Sequence, residues 1–413
     1  MSESSPESSP LVLDPHGTDW WTEYRTLRSG AAATRVDLLG VTAWSVAEPA
    51  LLKHLLTSPD VSKDGRAHWP RHPETVATWP LALWIAVRNM FTAYGGDHRR
   101  LRRMIAPAFS ARRMADLAPV VSRIVSDLID DLAATAGDGP VDLRERLAYP
   151  LPIAVISHLL GVPEEESRQF RQVVDGVFDS TLTREEAAAN NERLFALADR
   201  IVTAKRARPG ADMTSLLIST RDEETDSGFT DLELRDTLIL MISAGYETTV
   251  NVIDEAVTAL LTHPGALGRI RAGEADWPDV VEETLRLTPP IRMVPLRFAV
   301  RDIALPDGPT IRKGEAILPA LGAANRHPGW HGPDADIFDV TRPDKEHLAF
   351  GHGVHFCLGA PLARLEVAEL LRQLFGRYPA LRLAVPAGRL TPLDSMLSNG
   401  HQKLPVHLGR AGG

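Results

Sequence analysis

The chain has 413 residues, of which 44% are hydrophobic, 24% charged and 6% aromatic, and its formal charge is −9. This is the composition of a soluble globular protein with a large core. It argues against nucleic acid as a partner, no run approaches the roughly eighteen apolar residues of a membrane span, and the one cysteine cannot close an internal disulfide.

The opening MSESSPESSP has neither a basic n-region nor an apolar stretch, so residues 1–12 are expected to be a disordered tail ahead of one large unit over 13–410. The run HRRLRR, His98 to Arg103, with Arg112 and Arg113 beyond it, is a dense positive patch in an acidic chain. Taken alone, such a run is a solvated helix face or an anion site. His98 and Arg102 stand four apart and share a helix face, while Arg99 and Arg103 point elsewhere.

Most of Ala115 to Gly265 has helical periodicity. Its longest segment runs from Asp231 to Thr262: Thr230 and Glu233 make a capping box, and His263-Pro264-Gly265 ends a helix of about 50 Å. The apolar middle, LILMISAGYETTVNVI, carries Gly245, Glu247, Thr248 and Thr249, which predicts a kink where hydroxyls loosen the helical ladder. A further helix can begin at Pro278 and must end before Pro289 and Pro290. Its Glu283 and Arg286 share one face, a spacing that by itself signals a surface ion pair. The stretches IRMVPLRFAV and TIRKGEAIL read as short strands.

Cys357 closes the run FGHGVHFCLG, Phe350 to Gly359, and is followed by LGAPLARLEVAELLRQLF, an apolar helix with Pro361 in its first turn. Gly351, Gly353 and Gly359 allow a tight loop and close approach to a flat ligand. The helix N-terminus after Cys357 favours a sulfur anion, so the thiol is expected to have a lowered pKa and to be a metal ligand rather than a small buried hydrophobe.

Phe350, Gly353, His355, Cys357 and Gly359 resemble the haem-binding signature of the cytochrome P-450 family, Phe-x-x-Gly-x-His/Arg-x-Cys-x-Gly, at every fixed position. Ala244-Gly245-Tyr246-Glu247-Thr248-Thr249 is similar to the family's distal oxygen motif, Glu283-x-x-Arg286 to its Glu-x-x-Arg motif, and His98-x-x-x-Arg102 to its propionate-binding pair. The four signals come in the family's order and span about residue 60 to 400. VSKDGRAHWP, NMFTAYGGDHRRLRR and SNGHQKLPVHL resemble soluble actinobacterial members.

The resemblance implies a mainly α fold with a minor β region, one large domain around a buried haem b. Cys357 would be the axial thiolate, a ligand that favours O–O cleavage. His98, Arg102, Arg297 and His355 would hold the haem propionates, with Phe350 and Ala244 also against the cofactor. Glu247 would relay protons and Thr248 would donate a hydrogen bond to the dioxygen co-substrate. Glu283 and Arg286, completed by Arg342, would fix the cysteine loop from a buried network. Met90, Phe91, the segment 174–183, Leu240, Ala244, Met293, Val294, Met396 and Leu397 would line the substrate site, with Arg292 beside it facing solvent or a polar end of the substrate. Arg99, Arg103, Arg112 and Arg113 would face an acidic electron donor.

The implied activity is hydroxylation of a hydrophobic small molecule of secondary metabolism, a steroid or macrolide for example. Electrons would come from a separate ferredoxin and its reductase, with NAD(P)H involved only indirectly, and the protein would be a cytoplasmic monomer. Two other readings stay open: the same haem chemistry used for oxidative C–C or C–N coupling of aromatic or cyclic-dipeptide substrates, and a non-enzymatic haem sensor.

Overall fold

The computed structural model describes residues 9–29, 32–135, 139–167, 169–306 and 309–409. Among the described residues eleven short strands form three sheets: β1 (Leu11–Val12), β2 (Ala33–Leu38), β3 (Val41–Val46), β4 (Val61–Ser62), β5 (Val141–Asp142), β6 (Arg297–Ala299), β7 (Ile303–Ala304), β8 (Thr310–Ile311), β9 (Ala316–Pro319), β10 (Arg382–Leu383) and β11 (Pro405–His407). The main sheet has the order β1-β2-β3-β9-β6-β4, with β1/β2 and β3/β9 parallel and the other pairs antiparallel. A second sheet is β10-β11-β5, and β7 pairs with β8.

The helices that matter for the site are α1 (Gly95–Ile105), α2 (Ala111–Thr135), α3 (Pro150–Leu160), α4 (Phe170–Phe178), α5 (Arg184–Ala207), α6 (Asp231–Thr262), α7 (Trp277–Leu287) and α8 (Ala360–Arg377). Helix α6 has the expected bounds and the expected Thr230/Glu233 capping box. It packs against α3, α4, α5, α7 and α8, so it forms the axis of the larger apolar core. A smaller core lies under the main sheet, where Val36, Phe298 and Leu318 meet Trp69 and Trp79.

Two local expectations need correction. Of the supposed tail, residues 1–8 lie outside the described residues, as does residue 410, but Leu11 and Val12 pair with Val36 and Asp37. In IRMVPLRFAV only Arg297–Ala299 is a strand, because Pro295 offers no N–H to a ladder. Helix α6 runs through Gly245 without interruption. Its glycine serves packing, since a Cβ there would stand 2.4 Å from the Cδ1 atom of Ile156 on α3.

Candidate functional site

The Cys357 loop is held by its own backbone. The N–H of Cys357 donates to Phe350 O at 2.9 Å, and those of Gly351 and Phe356 donate to Leu348 O and Gly353 O. Gly351 and Gly353 both adopt left-handed φ, at 73° and 72°. At Gly353 a Cβ would also lie 2.8 Å from the backbone oxygen of Leu56. Gly359 has an ordinary φ of −80° and a Cβ there would meet only Cys357 Sγ, at 3.8 Å.

Cys357 is exposed yet closely surrounded by protein. The amides of Gly359 and Ala360 at the start of α8 donate toward its sulfur, as expected of a helix N-terminus. Burial outweighs them, together with the charges of Arg102 and Arg364, and pushes the thiol up rather than down. The expected depression is therefore not a property of the chain alone.

Beside the loop lies a group of basic side chains without acids. His98 is buried, its Nε2 has no partner, and its ring lies 4.1 Å from that of His355. Burial and the nearby Arg102 and Arg297 push His98 down to about 4, and burial with Arg297 drives His355 far below the usual histidine range. Arg297 is only 7% exposed and, among the described residues, has no hydrogen-bond or ion-pair partner; burial lowers it to about 10. Arg102 donates to Phe356 O at 2.9 Å, so one of its donors steadies the cysteine loop. Uncompensated buried cations cost several kcal/mol each. An anion beside the cluster would relieve that cost.

Helix α6 is buried along most of its length, but Leu240, Ala244 and Thr248, four residues apart, form a stripe that reaches open surface. Thr248 Oγ1 donates to Ala244 O at 2.6 Å, so the hydroxyl turns lone pairs, not its proton, outward. Glu247 points into the core. Its Oε1 accepts from Asn251 at 3.0 Å and lies 3.5 Å from Arg144, while its Oε2 has no partner. Burial pushes Glu247 up to about 7 against the pull of Arg144. Arg144, fully buried, continues to Asp254 at 3.0 Å, and Asp254 accepts from the backbone N–H of His401 at 2.6 Å.

Glu283 and Arg286 are both fully buried and form a bidentate pair at 2.7 and 2.9 Å, not a surface ion pair. Glu283 also accepts from the Asp339 N–H at 2.8 Å and from Arg342 at 3.4 Å. Arg286 and Arg342 then bind carbonyls of Asp334, Ala335 and Ile337. The network thus fixes residues 334–342 directly. The cysteine loop is reached through Asn325, which takes Leu348 N–H at 2.7 Å and donates to Leu285 O on α7.

Two supports were not anticipated from the sequence. Glu282 on α7 holds Arg364 of α8 and His347, and Arg364 lies over the Phe350 ring at 4.6 Å, clasping the loop from both ends. These charges hold Glu282 down to about 2. The only signal was that acid and base stand on helices flanking the loop. Arg144 was also missed, because it lies a hundred residues before its partners.

Of the expected lining, Met90, Phe91, Leu240, Ala244 and Val294 retain accessible surface. Met293, Met396 and Leu397 do not: they are packed into the smaller core. Arg292 faces neither solvent nor a cleft, since Asn399 Oδ1, Gly17 O and Ser395 O bind it in the interior. Of the four surface arginines, Arg99, Arg112 and Arg113 are exposed, but Arg103 is committed to Asp222 and Glu224.

The cysteine loop, the acid-free cations and the open stripe on α6 together match one known architecture. The model of the family described as Cytochrome P450 matches residues 83–273 and 278–382. The chain belongs to the cytochrome P450 family. It is 39% identical over 406 residues to 2-hydroxy-5-methyl-1-naphthoate 7-hydroxylase from Streptomyces carzinostaticus, covering 97% of this chain and 98% of that protein. To the cytochrome P450 monooxygenase PikC from Streptomyces venezuelae it is 38% identical over 413 residues, 98% of this chain and 96% of the relative. The solved structure of CYP154A1 from Streptomyces coelicolor A3(2) superposes with a TM-score of 0.93 at 64% identity, covering 96% of this chain and all of that one.

The P450 fold expected from the sequence is thus confirmed, as is a monooxygenase, an oxidoreductase related to enzymes of secondary metabolism. The family implies haem and dioxygen. The residues present suit haem, with one accessible sulfur beside buried cations that lack acids. Among the described residues no helix is long and apolar enough to cross a membrane.

Proposed function

We propose that the protein is a haem-thiolate hydroxylase of a hydrophobic small molecule, a steroid, macrolide or related secondary metabolite, in which Cys357 ligates the iron of haem b. When bound, the haem activates dioxygen, and the thiolate ligand suits it to O–O cleavage. The observation that carries this reading is the acid-free set of His98, Arg102, Arg297 and His355 beside Cys357, which suits two propionates. A carboxylate partner removes the cost of burying Arg297 and allows the histidines to donate.

Ala244 and Phe350 bound the cofactor site, while Met90, Phe91, Leu240 and Val294 offer apolar surface to the substrate. Glu247, poised at about 7, can take up and release a proton near neutral pH, and its free Oε2 is the atom from which it leaves. Thr248, with its hydroxyl proton engaged by Ala244 O, can accept a hydrogen bond at Oγ1, a change from the donor role expected of it. Glu283, Arg286 and Arg342 position the loop. The relatives' activities support a small secondary metabolite as substrate, hydroxylation being the reaction of the naphthoate enzyme. Electrons from a separate ferredoxin and its reductase, with NAD(P)H upstream, and a cytoplasmic monomer complete the proposal.

The test is spectroscopic. Reduced enzyme with carbon monoxide should give the strongly red-shifted Soret band of a thiolate-ligated haem, and Cys357→Ala should abolish it. A histidine-type spectrum would overturn the assignment.

A further inference from the structure

Lys63 is a buried lysine to which neither the sequence nor the family resemblance gave a role. It stands one residue beyond β4, whose register with β6 pairs Val61 with Ala299 and Ser62 with Phe298. One further step brings Lys63 opposite Arg297. Like charges facing each other across strands are destabilising, and here both are almost wholly buried, Lys63 at 2% exposure and Arg297 at 7%.

The lysine's own contacts do not resolve the conflict. Its Nζ donates to Pro295 O at 3.1 Å and rests 3.9 Å from the centroid of the Phe91 ring. A carbonyl and a ring face soften the burial of an ammonium without neutralising it, and no carboxylate pairs with Lys63 among the described residues. Burial and Arg297 push Lys63 well below the usual lysine range, and its charge is also felt by His355. Lys63 therefore stands with Arg297 in a buried site without a carboxylate among the described residues, where an anion would stabilise both.

We propose that Lys63 is a fifth cation of the carboxylate clamp, hydrogen-bonding a haem propionate beside Arg297 and His355. The inference rests on the haem reading above. A propionate fits better than a substrate carboxylate, because the neighbours that share the lysine's field, Arg297 and His355, are the clamp residues themselves. The Phe91 ring also lies against the ammonium, so the lysine touches the apolar loop at Met90 and Phe91 as well as standing opposite Arg297. The compact ammonium on a flexible stem can reach a carboxylate oxygen while keeping the bond to Pro295.

The test compares the wild-type holoenzyme with Lys63→Met. The propionate bending band in the resonance Raman spectrum should move, and haem should transfer to apomyoglobin about tenfold faster, the effect of losing one charge-assisted hydrogen bond. The red-shifted carbon monoxide band should stay, because the thiolate is untouched. Lys63→Gln, which keeps donors for Pro295 without the charge, provides the same readouts if the methionine variant loads no haem. An unmoved propionate band with haem transfer within twofold of wild type would overturn the proposal. So would an effect confined to the binding of carboxylate-bearing small molecules, which would turn Lys63 toward the substrate. Failure of the haem reading itself would be distinct, since the wild type would then lack the thiolate spectrum.

Discussion

Glu283→Gln tests whether the buried network on α7 secures the haem site. Glu283 accepts four hydrogen bonds: two from Arg286, one from Arg342 and one from the Asp339 N–H. Glutamine keeps the shape but has one acceptor oxygen, and its amide nitrogen must point donors at the guanidinium donors of Arg286 or Arg342. Two arginines, 0% and 7% exposed, then lose the countercharge they share. Breaking one partner of such a buried pair costs about 3–5 kcal/mol, a large part of the roughly 5–15 kcal/mol that stabilises a folded protein. The damage should spread along Asp334–Asp339 and, through Asn325, to Leu348 at the start of the cysteine loop. Urea unfolding followed by tryptophan fluorescence should show the lowered midpoint, and the Soret band should be lost at still lower urea. As a comparison, Glu282→Gln removes a pair that is 28% and 39% exposed and should cost about 1 kcal/mol. A Glu283→Gln midpoint equivalent to less than about 1 kcal/mol of destabilisation, with haem retained, would refute the reasoning.

Other perturbations have equally definite outcomes. In Glu247→Gln the limb of the pH–rate profile near pH 7 should disappear, since that carboxyl stands at about 7, and a profile identical to wild type would remove it from the proton path. Glu366 on α8 is 2% exposed with an unpartnered Oε2, and burial raises it to about 8 from an unfolded value of 4.5. The folded state thus holds a proton that the unfolded chain releases between about pH 4.5 and 8. The resulting stability is fully present below about 4.5 and is lost as pH rises through 8. Glu366→Gln should flatten that decline and stand several kcal/mol above wild type at pH 9 by urea midpoint. Gly353→Ala meets both a φ of 72° and a contact of 2.8 Å with Leu56 O, and should cost about 1–3 kcal/mol and loosen haem retention. Incorporation of labelled oxygen into product would support hydroxylation, whereas a coupled product without label would favour the coupling reading.

The parts of the molecule legible in the sequence were those written in short-range patterns. The bounds of α6 followed from a capping box at one end and His-Pro-Gly at the other, both local signals acting on a long apolar segment. The cysteine loop was readable because two left-handed glycines and a helix start leave a compact imprint within ten residues. What the pattern could not supply was the direction in which a side chain faces once distant elements pack. Met293, Met396 and Leu397 look like any apolar residues near a cleft, and only the closure of the sheet over Phe298 puts them in the core. Arg292 looked like a polar guest for the same reason, although Asn399 and two carbonyls far along the chain satisfy it.

The thiol makes the deeper point. A helix N-terminus after Cys357 predicts a stabilised anion, and the two amides are in place, yet the burial that shapes the site acts more strongly in the opposite direction. The basic residues show the same imbalance: burial pushes Arg297 toward its neutral form, and burial with neighbouring cations pushes His98, His355 and Lys63 the same way. Each half is costly alone, a closely surrounded sulfur that resists ionising and buried cations with no acid among the described residues. A single ligand that offers a cation to the sulfur and carboxylates to the bases relieves both costs together, so loading should be cooperative across the site. Removing a base such as Arg297 should therefore weaken the retention of iron at Cys357 even though the two side chains serve opposite ends of the group.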